Sequence, residues 1–217
     1  LHRLIRRQRQ MCIRDSSYYP LAETALEALL EDLGNAREFI FMEYFAVEDT
    51  QAFHRIEEVL LRKISEGVEV RFIYDDFGSI GYVKPEFMRR LNRQGIQCRI
   101  FNPLVPFLYI FMNHRDHRKI TVIDNRISYS GGFNLADEYF NITHPYGHWK
   151  DTGIRLEGDA VRSHTIMFLE MWNFIRDTDT AWDKYLTSCA PFQNRQGGYV
   201  QPYSDTPLDN VTLGENV

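Results

Sequence analysis

The stretch His114-Arg115-Asp116-His117-Arg118-Lys119-Ile120-Thr121-Val122-Ile123-Asp124-Asn125-Arg126-Ile127-Ser128-Tyr129-Ser130-Gly131-Gly132-Phe133-Asn134 decides how the chain is read. Ile120, Val122 and Ile123 are β-branched residues among charged neighbours, a composition that favours a strand. Side chains alternate faces along a strand, so His117, Lys119 and Thr121 are expected on one side and Arg118, Ile120, Val122 and Asp124 on the other. An imidazole and an ammonium on one face can address a single phosphate. The histidine is nucleophilic when one ring nitrogen is free and the other is held protonated, and lysine stabilises charge on phosphoryl oxygens. By the same alternation Asp124 points away, which suits a role in fixing the strand or the turn after it. Gly131-Gly132 admits close approach of backbone to a ligand, and Asn134 adds an amide donor. A charged hairpin turning at Asp124-Asn125-Arg126 accounts for part of this pattern. The whole set in register favours phosphate chemistry.

His117-x-Lys119, Asp124, Gly131-Gly132 and Asn134 together resemble the signature of the phospholipase D superfamily. Flanking phrases narrow the resemblance to its bacterial cardiolipin synthases: Phe41-Met42-Glu43-Tyr44, Gly67-Val68-Glu69-Val70-Arg71, Tyr74-Asp75-Asp76-Phe77-Gly78-Ser79, Asp137-Glu138-Tyr139, Trp149-Lys150-Asp151-Thr152 and Arg155-Leu156-Glu157-Gly158. The resemblance implies an α/β fold, an α/β/α sandwich with a mixed β-sheet, in which two such halves meet at one active site. It implies His117, Lys119 and Asp124 as catalytic residues, with Lys119 and Asn134 binding phosphate and Gly132 shaping the pocket. Asp151 matches the acid placed behind the histidine, where it would fix the ring tautomer. No metal or organic cofactor is implied. The implied reaction transfers a phosphatidyl group from one phosphatidylglycerol to another, through a phosphohistidine, giving cardiolipin and glycerol. The implied partners are phosphatidylglycerol, a membrane surface and a second phospholipase D-like half, and the implied location is the bacterial cytoplasmic membrane. Glu43, Asp75 and Asp76 match family phrases without a physical assignment, and His114 and His148 read as loop histidines near the site.

Outward from the signature, hydrophobic period places helices over Pro20–Leu33, from Asp49 or Thr50 to Glu66, over Pro85–Gln94 and from an Asp159 cap to about Ile175, with Gly34, Gly67 and Gly95 as stops. Between them Glu38–Phe45, Val68–Asp76 and Ile96–Phe101 read as strands, the first apolar on both faces and therefore central. Strand, helix, strand with tight connections implies parallel pairing. A short helix is expected over Leu135–Phe140, a strand over Asp151–Glu157 and one more near Tyr199–Tyr203. The apolar loop Asn102–Asn113, containing Phe107 and Phe111, is expected to line an acyl-chain path, to rest on a bilayer, or simply to fold under its neighbours.

Residues 1–16 are set aside: Leu1–Asp15 carry five arginines without helix or strand period, and Arg6–Asp15 resembles the translation of a sequencing adapter. Without Leu1–Asp15 the chain has 20 basic and 29 acidic residues, a formal charge of −9. Such a balance disfavours generic nucleic-acid binding, which comes from neutralising phosphates. Cys98 and Cys189, the cysteines left, make neither a disulfide framework nor a metal cluster. Residues 17–178 are expected to form a first phospholipase D-like catalytic domain, with 179–217 as a linker and the start of a truncated second domain. One signature is present, so the chain is expected to be one half of a longer enzyme, lacking the general acid for the leaving glycerol. A hydrolase with water as acceptor, and an inactive phosphate- or membrane-binding half-domain, remain the competing readings.

Overall fold

The computed structural model describes residues 11–104, 114–178, 181–186, 199–200 and 202–204. Strand β1 (Met11–Tyr19) is followed by helix α1 (Ala22–Gly34), β2 (Phe39–Tyr44), α2 (Gln51–Ser65) and β3 (Glu69–Asp75). The one-turn helix α3 (Asp76–Ser79) leads on to α4 (Phe87–Arg93) and β4 (Gln97–Phe101). Then come β5 (Ile120–Ile123), β6 (Ile127–Gly131), a 3-10 turn (Asp137–Phe140), β7 (Gly153–Gly158), α5 (Val161–Ile175) and the short β8 (Tyr199–Val200).

The strands form one mixed sheet in the order β4-β3-β2-β5-β6-β7-β1-β8. β2 pairs parallel with β3 and β3 with β4, while β5, β6, β7 and β1 join antiparallel. Helices α1, α2 and α4 cover one face and α5 the other, which makes the expected α/β/α sandwich. β2 is buried along its whole length. Ile40 and Met42 meet Leu26, Leu29, Phe53 and Ile56 on one side, and Phe39 and Phe41 meet Phe168 and Leu169 on the other. Phe168 stacks on Phe41 with centroids 4.6 Å apart. Burying side chains of this size stabilises the fold by roughly 1.5–3 kcal/mol each.

Several expectations are corrected. β1 runs from within the set-aside residues 1–16 into residues 17–19, paired with β7 and, at Met11 and Cys12, with β8. Its order comes from backbone pairing, which needs no hydrophobic period. The signature strand begins at Ile120 instead of His117, and 114–119 is an irregular arm leading into it. Neither Asp49 nor Thr50 caps α2 with its side chain; Asp137 does so from a distant loop, accepting from Ala52 N at 2.7 Å. Asp159 is likewise not the cap of α5, which starts after Ala160. The Leu135–Phe140 helix is a single 3-10 turn over Asp137–Phe140. Phe107 and Phe111 lie outside the described residues, as does most of 179–217.

Candidate active site

β2 and β3 end at Tyr44 and Asp75, β5 begins opposite Glu43, and β6 ends where Gly131 pairs with Gly153 at the start of β7. The segments after β2, β3 and β6 and before β5 and β7 therefore gather at one end of the sheet. His117, Lys119, Gly132, Asn134 and Asp151 all lie there.

Although 114–119 is not a strand, His117 and Lys119 share one side of it. The His117 ring lies 4.7 Å from the Phe45 ring, and Lys119 Nζ sits 5.5 Å from the same ring. Lys119 is buried and donates from Nζ to the His117 carbonyl at 2.7 Å. Burial is the main reason its pKa is drawn down to about 8, against the opposing fields of Asp116 and Asp151. The His117 ring is exposed, and among the described residues neither of its nitrogens takes part in a hydrogen bond. Its pKa lies below the usual histidine value, through partial desolvation first and the neighbouring Lys119 cation second. The neutral ring, with its free lone pair, is therefore the form present near neutral pH.

Gly132 owes its place to Asp151. A Cβ on Gly132 would sit 2.1 Å from Asp151 Oδ1, and one on Gly131 would sit 2.4 Å from the Thr152 carbonyl. The glycine pair thus lets the start of β7 press its aspartate against the loop after β6. Asp151 Oδ1 accepts from Thr152 N at 2.8 Å and its charge reaches Lys119. The charges acting on His117 are those of Lys119, Asp116 and Asp75. Asn134 is buried; its Oδ1 accepts from Ala46 N at 3.1 Å and its Nδ2 donates to the Tyr139 hydroxyl at 3.0 Å. One of its amide hydrogens is thus committed to the scaffold.

Asp124 is not brought to this end. It stands at the far end of β5, where Asp124 and Asn125, both at φ 52, form a tight hairpin turn closed by Arg126 N to Ile123 O. Its carboxylate accepts from Arg37 N, Glu38 N and Phe39 N, each at 2.8 Å. It ties the hairpin to the start of β2, the turn-fixing role that strand alternation suggests.

Behind the arm lie polar groups to which the sequence pattern assigns no role. Asp75 accepts from Phe77 N at 2.8 Å, Gly78 N at 3.1 Å and Asp116 N at 3.1 Å, and pairs with Arg115 at 3.3 Å. Asp116 Oδ1 accepts from both Arg118 N and Arg118 Nε at 3.2 Å, and Arg118 Nε also lies 2.6 Å from the fully buried Glu43. These groups come from β2, β3 and the arm, so no local motif marks them. The acidic phrase endings Glu43 and Asp75 were the available signal. His114 is an exposed arm residue, and His148 is an exposed loop residue 3.6 Å from Glu23.

Comparison with known proteins gives a consistent picture. Residues 29–151 match the family described as cardiolipin synthase, PLD-like domain. A cardiolipin synthase of Oceanobacillus iheyensis is 40% identical over 151 residues, 70% of this chain and 31% of that protein. One of Staphylococcus aureus is 36% identical over 159 residues, 73% of this chain and 32% of that protein. An uncharacterised Streptococcus mutans protein is 42% identical over 205 residues, 93% of this chain and 43% of that protein, so the chain spans less than half the length of these relatives. The fold is shared with Nuc of Salmonella typhimurium, a phospholipase D family member, at 18% identity and a TM-score of 0.57, covering 76% of this chain and all of Nuc.

Proposed function

This chain belongs to the family of cardiolipin synthase phospholipase D-like domains, and from that premise we propose that it contributes one catalytic half to a phosphatidyltransferase that makes cardiolipin from two phosphatidylglycerols. The observation that carries the reading is the exposed His117 ring, whose nitrogens no described residue hydrogen-bonds, beside the buried Lys119 on one side of the arm. His117 attacks the phosphodiester phosphorus, the phosphorus–oxygen bond to glycerol breaks, and glycerol leaves with a proton. The hydroxyl of a second phosphatidylglycerol then attacks the phosphohistidine, releasing the ring and giving up its own proton. Lys119 neutralises phosphoryl oxygens, with Asn134 as a further donor, and Asp151 is the acid available to hold the ring tautomer. A second phospholipase D-like half supplies the acid for the leaving glycerol.

A membrane surface as partner is supported by the exposed side chains around this end. Phe77, Ile80, Tyr82 and Tyr146 are all exposed. Phe77 is linked to the arm through Arg115 over its ring, and Tyr146 to Tyr139 through Trp149 in ring contact. Amphipathic rings of this kind suit the headgroup layer. The acidic balance of residues 16–217 disfavours nucleic acid as the phosphodiester.

The test is product analysis of the longer protein containing this domain, with vesicles of phosphatidylglycerol. Cardiolipin together with glycerol is expected. Phosphatidic acid as the product would instead establish hydrolysis, and vesicle binding without turnover would reduce the domain to a lipid-binding half.

A further inference from the structure

Behind the arm lies a cluster of buried carboxyls, one of which, Asp116, also acts on Lys119. Three carboxyls (Glu43, Asp75 and Asp116) face two guanidinium groups, Arg115 and Arg118. Asp75 is well supplied with donors: three backbone N–H groups and Arg115 point at it. Asp116 uses Oδ1 for Arg118 N and Nε and leaves Oδ2 buried with no donor among the described residues. Glu43 is worse placed. It is 0% exposed, and among the described residues neither oxygen receives an aligned hydrogen bond, because the Arg118 Nε–H 2.6 Å away is aimed at Asp116. The Glu43 and Asp116 carboxyls converge on one nitrogen, Arg118 Nε, which lies 2.6 Å from Glu43 Oε1 and 3.2 Å from Asp116 Oδ1.

Two buried carboxylates that share one guanidinium N–H and leave three oxygens without an aligned donor are costly, and one shared proton lowers the cost. We propose that Glu43 is a neutral acid that donates its proton to Asp116, and that this hydrogen bond positions the arm bearing His117. With that proton in place the cluster carries one anion fewer, and the buried Asp116 oxygen gains a donor. Asp116 is then free to hold Arg118 by side chain and backbone, while its own N–H hangs on Asp75. The residue before His117 is thereby fixed from both sides. Glu43 never touches substrate, so it is a positioning residue.

The charged and titratable groups facing Glu43 agree with this reading. From the arm come Arg118, which favours the anion, and Asp116, which opposes it; Asp75 of β3, paired with Arg115, accepts from Asp116 N. From α5, His164 is kept neutral by burial and by Arg118, with its pKa near 4, and hydrogen-bonds Ser128, while Glu170 shares with Arg118 the walls of one cavity. Desolvation outweighs the rest and holds Glu43 well above the usual carboxylate range.

The protonation itself is read by difference infrared spectroscopy of this chain at pH 7, without reference to turnover. A carboxylic acid band is expected in the wild type and absent from Glu43→Gln. A wild type without that band overturns the proposal. Glu43→Gln, which keeps the donor, is expected to stay within about twofold of wild-type turnover in the longer protein. Glu43→Ala is expected to lose about tenfold in kcat with little change in KM, because the arm loses its order. A Gln variant as damaged as the Ala variant would also overturn the proposal. A protein that shows the band but makes no cardiolipin would refute the functional reading and leave the proton where it is placed here.

Discussion

The two ends of β5 carry residues of one signature and are built in opposite ways. At the start, His117 is exposed and its ring nitrogens are unclaimed by the described residues, while Lys119 is held in a desolvated site beside it. At the finish, Asp124 spends its carboxylate on three backbone N–H groups. A recurring pattern in sequence thus mixes groups kept available for a ligand with groups consumed by architecture. Spacing alone does not separate the two, whereas their hydrogen-bond partners do.

The sharpest way to break this comparison is to remove each end in turn. His117→Ala is expected to lower cardiolipin formation by about a thousandfold or more and to remove any phosphoenzyme on this half, with an unchanged melting temperature. Persistence of the phosphoenzyme would take the nucleophile role from His117. Asp124→Ala is expected to do the reverse, costing about 2–3 kcal/mol of stability as three backbone donors lose their acceptor, with near-normal turnover by the fraction that remains folded. Urea unfolding beside activity measures both, and a stable, inactive Asp124→Ala protein would return that residue to the catalytic set.

A smaller effect is expected from Gly132→Ala. The added methyl would strike Asp151 Oδ1, so Asp151 and the start of β7 must shift, and turnover should fall by about tenfold. Alanine without effect there would mean that Asp151 does not matter to the arm.

The gentlest probe is pH. Rate should rise as His117 loses its proton, through a pKa below the usual histidine value, and fall near pH 8 as Lys119 loses its own. The alkaline limb should move well beyond pH 8 in Lys119→Arg, since guanidinium keeps its charge. A profile flat through pH 8 to 9 would show that Lys119 is not the cation that matters. Stability responds separately. Glu43, with its pKa raised in the folded state, lets the native protein hold more protons than the unfolded chain above the ordinary carboxylate range. Its contribution therefore weakens as pH rises, until Glu43 itself ionises.

Much of the fold was legible because it rests on local rules. The mostly apolar run of β2, broken by Glu43, announced a strand covered on both faces, and Gly34, Gly67 and Gly95 marked helix ends within a residue or two. The site was legible in part. His117 and Lys119 do share a side, yet through the course of an irregular arm and not through strand alternation. Gly132 was expected to admit a ligand, and what abuts it in the structure is Asp151.

By itself the sequence determined the periodic elements, the phosphate-type signature and the acidic balance, since each is written in neighbouring residues or in composition. Only the tertiary structure decided that Asp137 caps α2, that Met11–Tyr19 joins the sheet, and that Glu43, Asp75 and Asp116 meet behind the arm. Those outcomes depend on which backbone donors and buried charges face each other once distant segments pack. That is a matter of desolvation and hydrogen-bond geometry, which no single stretch of chain encodes.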